Sequence, residues 1–321
     1  MKKFDFFKNR FIFFGISVVL ILAIVVVGFV NGVKLDIQFS GGAIYTYSYT
    51  GDINTAEAQR IAKEVIDKEI TVSTSSSADG KKSIRFDIAT TDGIASETES
   101  TLTASLAKAF PDNTLERSDI RTVDPFIGKE FLQRGALAIF LAALLIVLYV
   151  WYRFRKIDSL SLGVFGLVAL FHDSIMVLGT FIVFGIPLND AFIAVVLTVL
   201  GYSINDTVVI YDRVRENSRI MKASTPVEEI VNVSINQSLT RSIFTMASTF
   251  VAIACVYIFA VIYDIPSIMN FSLPLLIGVV TGCYSTIFIA GPLWAMWERH
   301  KRIKKEKDRA NNAPKKAKAK A

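Results

Sequence analysis

Six apolar runs alternate with polar stretches along the chain. A bilayer core of about 30 Å needs about 20 residues of helix, at about 1.5 Å of rise per residue. Runs near this length cover residues 11–30, 135–151, 160–184, 191–211, 243–261 and 268–297. The pattern therefore predicts a polytopic α-helical membrane protein with six transmembrane helices.

Residues 31–130 are polar and mixed in charge, and their periodicity is that of a folded domain. Alternation with a period of two predicts four strands, and apolar stripes with a period near 3.6 predict two helices. The strands cover 43–49, 70–75, 83–88 and 114–123, and the helices cover 54–68 and 94–110. Asp79 and Gly80 would form the turn of the middle hairpin. The order βαββαβ predicts a ferredoxin-like α+β domain between the first two transmembrane helices.

The distribution of Lys and Arg predicts the orientation in the membrane. Basic residues precede the first run and occupy loops 152–159 and 212–242, whereas loops 185–190 and 262–267 contain none. Because cytoplasmic loops are enriched in Lys and Arg, both termini are expected in the cytoplasm and the α+β domain outside it. The plan is then a cytoplasmic N-terminus (1–10), helix 1 (11–30), an extracytoplasmic domain (31–130), helices 2–6 (131–297) and a basic cytoplasmic tail (298–321). The expected location is a bacterial inner membrane.

Composition and charge narrow the classes of function. Hydrophobic residues make up 52% of the 321, too many for an ordinary soluble domain. The net charge of +6 resides at the ends and in short loops, which favours contact with membrane lipids over nucleic acid. The sequence shows no His/Cys cluster with metal-ligand spacing and no nucleophile elbow. We therefore expect neither an enzyme active site nor a metal or other cofactor.

Two ionisable residues lie inside predicted spanning helices, where charge is costly. Asp206 lies toward the cytoplasmic end of the fourth apolar run, and Arg241 lies at the start of the fifth. Because these helices run in opposite directions, the two residues could meet at one depth. The pair fits a protonatable carboxylate whose pKa responds to a nearby guanidinium, and the alternative is a static ion pair that stabilises the bundle.

A second pair, His172-Asp173, lies near the middle of the third run. The pair could belong to a proton relay, or it could form hydrogen bonds between helices. Adjacent helical residues point about 100° apart, so the two side chains are not expected to share one partner. Gly278 and Gly282 form a small-xxx-small motif, which predicts close helix packing.

Several stretches resemble the SecD/SecF family of bacterial protein export, on its SecF side, and they cover most of the chain. The most specific is 201–217, Gly-Tyr-Ser-Ile-Asn-Asp-Thr-Val-Val-Ile-Tyr-Asp-Arg-Val-Arg-Glu-Asn. Shorter matches lie at 35–42, 123–125, 128–130, 172–173, 234–242 and 282–287. The chain departs from the family pattern where Ile37-Gln38 separates Asp36 from Phe39, and where Asp124 replaces a glycine.

The resemblance implies a subunit of the RND superfamily that pairs with SecD and associates with the SecYEG channel. Such a subunit would use the proton motive force to draw exported, unfolded polypeptides outward after SecA has pushed them. Asp206 would take up and release protons with Arg241 beside it. The coupling ion stays open, because the oxygens of Ser203, Asn205 and Thr207 around a carboxylate also suit Na⁺. Two alternatives remain: a half-size RND-type exporter and a non-transporting scaffold subunit of the Sec complex.

Overall fold

The computed structural model describes residues 4–36, 39, 42–68, 70–76, 82–88, 96–111, 113–123, 125–154, 159–222 and 224–318. Among these residues, six helices are long and apolar enough to cross a membrane. They cover Arg10–Asn31, Lys129–Arg153, Ser161–Val183, Asp190–Ile220, Val227–Ile262 and Pro266–Lys305. The prediction of six spanning helices is confirmed.

The elements follow the chain in a simple order. The helices are α1 (Arg10–Asn31), α2 (Thr55–Ile66), α3 (Ser96–Ala109), α4 (Pro125–Arg153), α5 (Ser159–Val183), α6 (Asp190–Ile220), α7 (Val227–Ile262), α8 (Pro266–Ser285) and α9 (Gly291–Lys318). The strands are β1 (Gly42–Tyr49), β2 (Ile70–Ser76), β3 (Lys82–Ile88) and β4 (Glu116–Val123). A π-helical turn, Thr286–Ala290, joins α8 to α9. Helix α7 begins well before its apolar run because its first turns are amphipathic and bury Val227 and Ile230.

The polar region between α1 and α4 folds into a small antiparallel sheet with two helices. The strand order is β2-β3-β1-β4, and each neighbouring pair is antiparallel. One face of the sheet buries Tyr47 and Phe86, whose rings meet edge to face at 5.9 Å between centroids. Helix α2 begins where the Asn54 side chain accepts a hydrogen bond from the amide of Ala56 at 3.0 Å. The predicted hairpin turn at Asp79-Gly80 lies outside the described residues.

Helices α5, α6 and α8 form the centre of the bundle, whereas α1, α4 and α7 are mostly exposed. Two glycines let α8 approach α6 closely. A methyl group at Gly278 would overlap Val199 of α6, and one at Gly282 would lie 3.3 Å from the Cβ of Ser203. The prediction that these glycines serve helix packing is confirmed, and their contact sets which side chains of α6 and α8 meet.

The segments that flank the bundle are tied to it at both ends. After α1, Leu35 pairs with Leu188 in the α5–α6 loop, and the ring of Phe39 is buried in the top of the bundle. At the opposite end, Asn236 of α7 brackets Phe4: its side chain accepts from the Phe4 amide at 3.2 Å and donates to the Phe4 carbonyl at 2.8 Å. The chain before α1 is therefore held against the first turns of α7.

Candidate functional site

The middle of helix α6 carries the polar residues that the sequence singled out. Because of the helical periodicity, their side chains face different neighbouring helices. Ser203 and Thr207 are one turn apart, so they lie on one face, which is buried against α5 and α8. Asp206 lies to the side of that face and points toward α7. Asn205 is exposed. The structure thus separates the supporting residues Ser203 and Thr207 from Asp206.

Asp206 contacts α7 through a serine. Its Oδ1 accepts a hydrogen bond from the hydroxyl of Ser242 at 2.5 Å. Its Oδ2 is buried and has no hydrogen-bond partner among the described residues. A buried carboxylate oxygen without a donor is rare, because its desolvation is not compensated. One oxygen of Asp206 is therefore held in place and the other is open to a proton, a water molecule or an ion.

Arg241 lies next to Ser242 and at the predicted depth, but it points elsewhere. In the described part of the chain, Asp206 and Arg241 do not form an ion pair, and Arg241 acts on Asp206 only as a neighbouring charge. Consecutive helical residues point about 100° apart, so Ser242 faces α6 while Arg241 is exposed. The static ion pair considered from the sequence does not form in this structure.

Arg241 lines a cavity of about 720 Å³ beside α6 and α7. Asn205 and Ser238 line its inner end, close to Asp206 along both helices. The outer end is strongly charged, and its walls include Asp212, Arg213, Arg215, Glu216 and Arg219. A cavity of this size with polar walls has room for water, and it ends at residues that are close to Asp206 in the chain, although Asp206 itself does not line it.

The second predicted carboxylate, Asp173 of α5, is fully buried and fully bonded. Its Oδ2 accepts from the hydroxyl of Ser203 at 2.7 Å and from that of Ser285 at 2.8 Å. Its Oδ1 lies 3.1 Å from Nδ1 of His172. We call these four residues the Asp173 cluster. Because its members come from α5, α6 and α8, this cluster joins the three central helices.

The chain departs from regular helix beside this cluster. The π-helical turn begins at Thr286, whose hydroxyl lies 3.0 Å from that of Thr207. A π turn adds a residue to the helical repeat and often occurs at functional sites. Ser285 and Thr286 contact different helices here, because the Ser285 hydroxyl donates to Asp173 of α5 and the Thr286 hydroxyl meets Thr207 of α6.

His172 and Asp173 contact each other but have different further partners, as their spacing predicted. The His172 ring lies 6.1 Å from that of Tyr284, centroid to centroid. Tyr284 in turn donates to the carbonyl of Phe13 on α1 at 2.7 Å. Nε2 of His172 is buried and has no hydrogen-bond partner within the described residues, so the histidine retains one free site for a proton.

Sequence reasoning missed Ser242, Ser285 and Thr286. A serine or threonine in an apolar helix carries no periodic signal, because it is small and bonds equally well to its own backbone. A signal was nevertheless present: the stretches 234–242 and 282–287, which resemble the SecD/SecF family, contain all three residues.

Comparison with known proteins shows the family to which the chain belongs. The family described as "Protein export membrane protein SecD/SecF, C-terminal" matches residues 101–300. Protein translocase subunit SecF of Petrotoga mobilis is 32% identical over 95% of this chain and 100% of the relative, and that of Helicobacter pylori is 34% identical over 88% and 84%. Protein translocase subunit SecDF of Brucella abortus is 37% identical over 90% of this chain, which spans 36% of that relative.

Solved structures show the same likeness. A crystal structure of SecDF from Thermus, described as a translocon-associated membrane protein, matches with a TM-score of 0.75 and 27% identity. The match covers 92% of this chain and 39% of that one. A second SecDF structure, in a super-membrane-facing form, matches with a TM-score of 0.69 and 26% identity, over 96% and 40%. The chain is a multi-pass membrane protein that belongs to the SecD/SecF family of protein export membrane proteins.

Proposed function

We propose that this chain is the SecF half of a proton-driven accessory to protein export, and that Asp206 is its coupling carboxylate. The observation that carries the proposal is the asymmetry of Asp206, with Oδ1 bonded to Ser242 and Oδ2 buried without a donor. A carboxylate in this state can gain a proton without first breaking an ion pair. It can also lose the proton while Ser242 still stabilises the anion.

Proton access is supported by the cavity beside Asp206. Water in this cavity reaches Asn205 and Ser238, which flank Asp206 along α6 and Ser242 along α7. Arg241 adds positive charge at the same level and favours the ionised form of a nearby carboxylate. We infer that protons exchange between Asp206 and the side of the membrane that bears the basic loops. Na⁺ in place of H⁺ is less well supported, because Ser203 and Thr207 face away from Asp206.

The partner is proposed to be a SecD-type half. Asn205 and Arg241 line the cavity where it opens at the side of the bundle, and an opening toward hydrocarbon would be costly for their polar groups. A second helical bundle packed against α6 and α7 would cover them. Pumps of this kind are built from paired repeats, and this chain spans only 36% of the SecDF relative, which leaves length there for a second half.

The α+β unit is proposed to be a ferredoxin-like domain on the extracytoplasmic side, with both termini in the cytoplasm. The order β2-β3-β1-β4 with two helices on one face is that of the ferredoxin-like fold. The unit would move with the protonation state of the bundle and act on exported, unfolded polypeptides that leave the SecYEG channel, downstream of SecA. Leu35 and Phe39 supply the mechanical link to the bundle. No catalytic chemistry is proposed for the chain.

The Asp173 cluster is proposed as a relay site rather than a second coupling site. Three hydrogen bonds engage the two oxygens of Asp173, so its charged form is better stabilised than that of Asp206, which has one. Nε2 of His172, by contrast, is buried and free of donors and acceptors in the described residues. Protonation there would add charge next to Tyr284 and α1, and would report changes in hydration at the centre of the bundle.

The test is Asp206→Asn, produced together with the SecD-type partner. Inverted vesicles would be scored for export of a secretory substrate with and without an imposed proton gradient. We expect normal assembly, normal gradient-independent export and loss of the gradient-dependent part. Asp190→Asn, on the first turn of α6, is the matched control and should leave both parts unchanged.

A scaffold role is the second candidate, and the same experiment separates it. If Asp206 is only structural, Asp206→Asn should lower the abundance of the complex and reduce both parts of export alike. Intact gradient stimulation in a fully assembled Asp206→Asn complex would refute the coupling role.

A further inference from the structure

A groove lies between α5 and α9 at the end of the bundle that bears the basic loops. Its volume is about 610 Å³. Its floor is formed by Val164, Phe165 and Trp297, and the Phe165 and Trp297 rings lie 6.2 Å apart. Both Val164 and Trp297 are about half exposed, with accessible fractions of 53% and 50%. The groove therefore presents an apolar floor to the surrounding lipid.

The rim of this groove is basic. His300, Lys301 and Lys304 line it within the two turns of α9 that follow Trp297. The neighbouring arginines contact protein carboxylates, with Arg299 3.1 Å from Glu228 and Arg302 3.5 Å from Glu298. Helix α9 therefore points these two arginines toward protein carboxylates, whereas its histidine and the two lysines line the groove.

We propose that this groove binds an anionic phospholipid. The acyl chain would lie on the floor, and the phosphate would meet the basic rim. Charge and position together favour this ligand: a soluble anion would gain nothing from Phe165 and Trp297, and a lipid without net charge would gain less from Lys301 and Lys304 than an anionic one. Tryptophan favours the headgroup level of a membrane, which places the rim where lipid phosphates lie. The site is independent of proton coupling at Asp206.

A phospholipid bound in this groove would hold α9 in contact with the membrane surface. Basic pockets between spanning helices on the cytoplasmic side recognise acidic headgroups, and clustered lysines beside a membrane strengthen this attraction. A lipid held between α5 and α9 would support the join at which Trp294 donates to the hydroxyl of Ser161 at 3.1 Å. We infer that occupancy stabilises the exit of α9 from the bundle.

The test uses the fluorescence of Trp297 as its probe. The full chain would be placed in nanodiscs that contain brominated phosphatidylglycerol or brominated phosphatidylcholine at equal mole fraction. The contribution of Trp297 is obtained by subtracting the quenching measured in Trp297→Phe from the quenching measured in the unaltered chain. We expect stronger quenching by the anionic lipid, and loss of this preference in Lys301→Gln/Lys304→Gln, by roughly fivefold per lysine.

The matched control removes the same charge from the same helix. Lys305 and Lys307 are exposed and do not line the groove, so Lys305→Gln/Lys307→Gln should keep most of the preference. Equal losses in the two double variants would show diffuse attraction by the tail and would overturn the site. Equal quenching of the unaltered chain by both lipids would overturn it as well.

Discussion

A methyl group added at Gly278 would overlap the side chain of Val199, at a distance below the 3.0 Å that real Cβ atoms essentially never cross. It would also lie 3.2 Å from Val177 of α5. Gly278→Ala therefore forces α8 away from both central helices. Because α8 also carries Ser285, the same shift lengthens its hydrogen bond to Asp173.

Two effects of opposite sign determine how much Gly278→Ala changes the free energy of unfolding. Overpacking a well-packed contact costs about 1–3 kcal/mol. Replacing glycine by alanine inside a helix gains up to about 1 kcal/mol of helix propensity. Overpacking outweighs propensity at Gly278, so we expect a net loss of about 1 kcal/mol. At Gly15 nothing lies within 4 Å of an added Cβ, so only the gain applies there.

The assay is thermal unfolding of the detergent-solubilised full chain, followed by circular dichroism. A loss of about 1 kcal/mol lowers the Tm by about 2–4 °C in a chain of about 200 residues, and by somewhat less in a longer one. Gly278→Ala should therefore unfold a few degrees earlier than the unaltered chain, whereas Gly15→Ala should unfold at the same temperature or slightly later.

A rescue variant makes the reasoning falsifiable. Val199→Ala removes the methyl groups that an alanine at Gly278 would meet, so the double variant Val199→Ala/Gly278→Ala should be more stable than the sum of the single effects. If Gly278→Ala proves as stable as Gly15→Ala, or if the two substitutions are simply additive, the close α6–α8 contact is wrong.

Three further outcomes are expected. Asp173→Ala should lower the free energy of unfolding by about 1–3 kcal/mol more than Asp173→Asn, because it leaves the Ser203 hydroxyl without its buried acceptor; thermal unfolding of both variants checks this. In the same assay, Phe39→Ala should lower the free energy of unfolding by about 3 kcal/mol and Phe39→Leu by about 1 kcal/mol, because the phenyl ring of Phe39 is buried. Burial raises the pKa of Asp87 above its ordinary value against the opposing effect of Arg85, so carboxyl NMR should find it raised, and Arg85→Gln should raise it further. The stability that this shift contributes is greatest below the unfolded pKa and is lost as pH rises through the folded one.

The spans and the order of the α+β elements were predictable because each rests on a strong local signal. An apolar run near 20 residues has few other uses, and alternation in 43–49 or a stripe in 54–68 reflects burial on one face. Hydropathy did not predict where α7 begins, because the first turns of this helix are amphipathic. There Val227 and Ile230 are buried between polar neighbours, so the helix begins before its apolar run.

The polar contacts could not be predicted from spacing. Asp206 and Arg241 were correctly placed at one depth, but depth does not determine where a side chain points. Ser242, the next residue along α7, contacts Asp206 in place of Arg241. Likewise Ser203 bonds to Asp173 rather than supporting Asp206. These pairings depend on the rotation of each helix, which the close approach at Gly278 sets through tertiary packing.

The most direct test of the central proposal is proton movement itself. Inverted vesicles that contain the assembled complex would carry a trapped pH-sensitive dye, and proton flux would be recorded while a secretory substrate is translocated. The account predicts a substrate-dependent flux with the unaltered chain, its loss in Asp206→Asn, and its retention in Asp190→Asn. A flux that persists unchanged in a fully assembled Asp206→Asn complex would contradict the assignment of Asp206 as the coupling carboxylate.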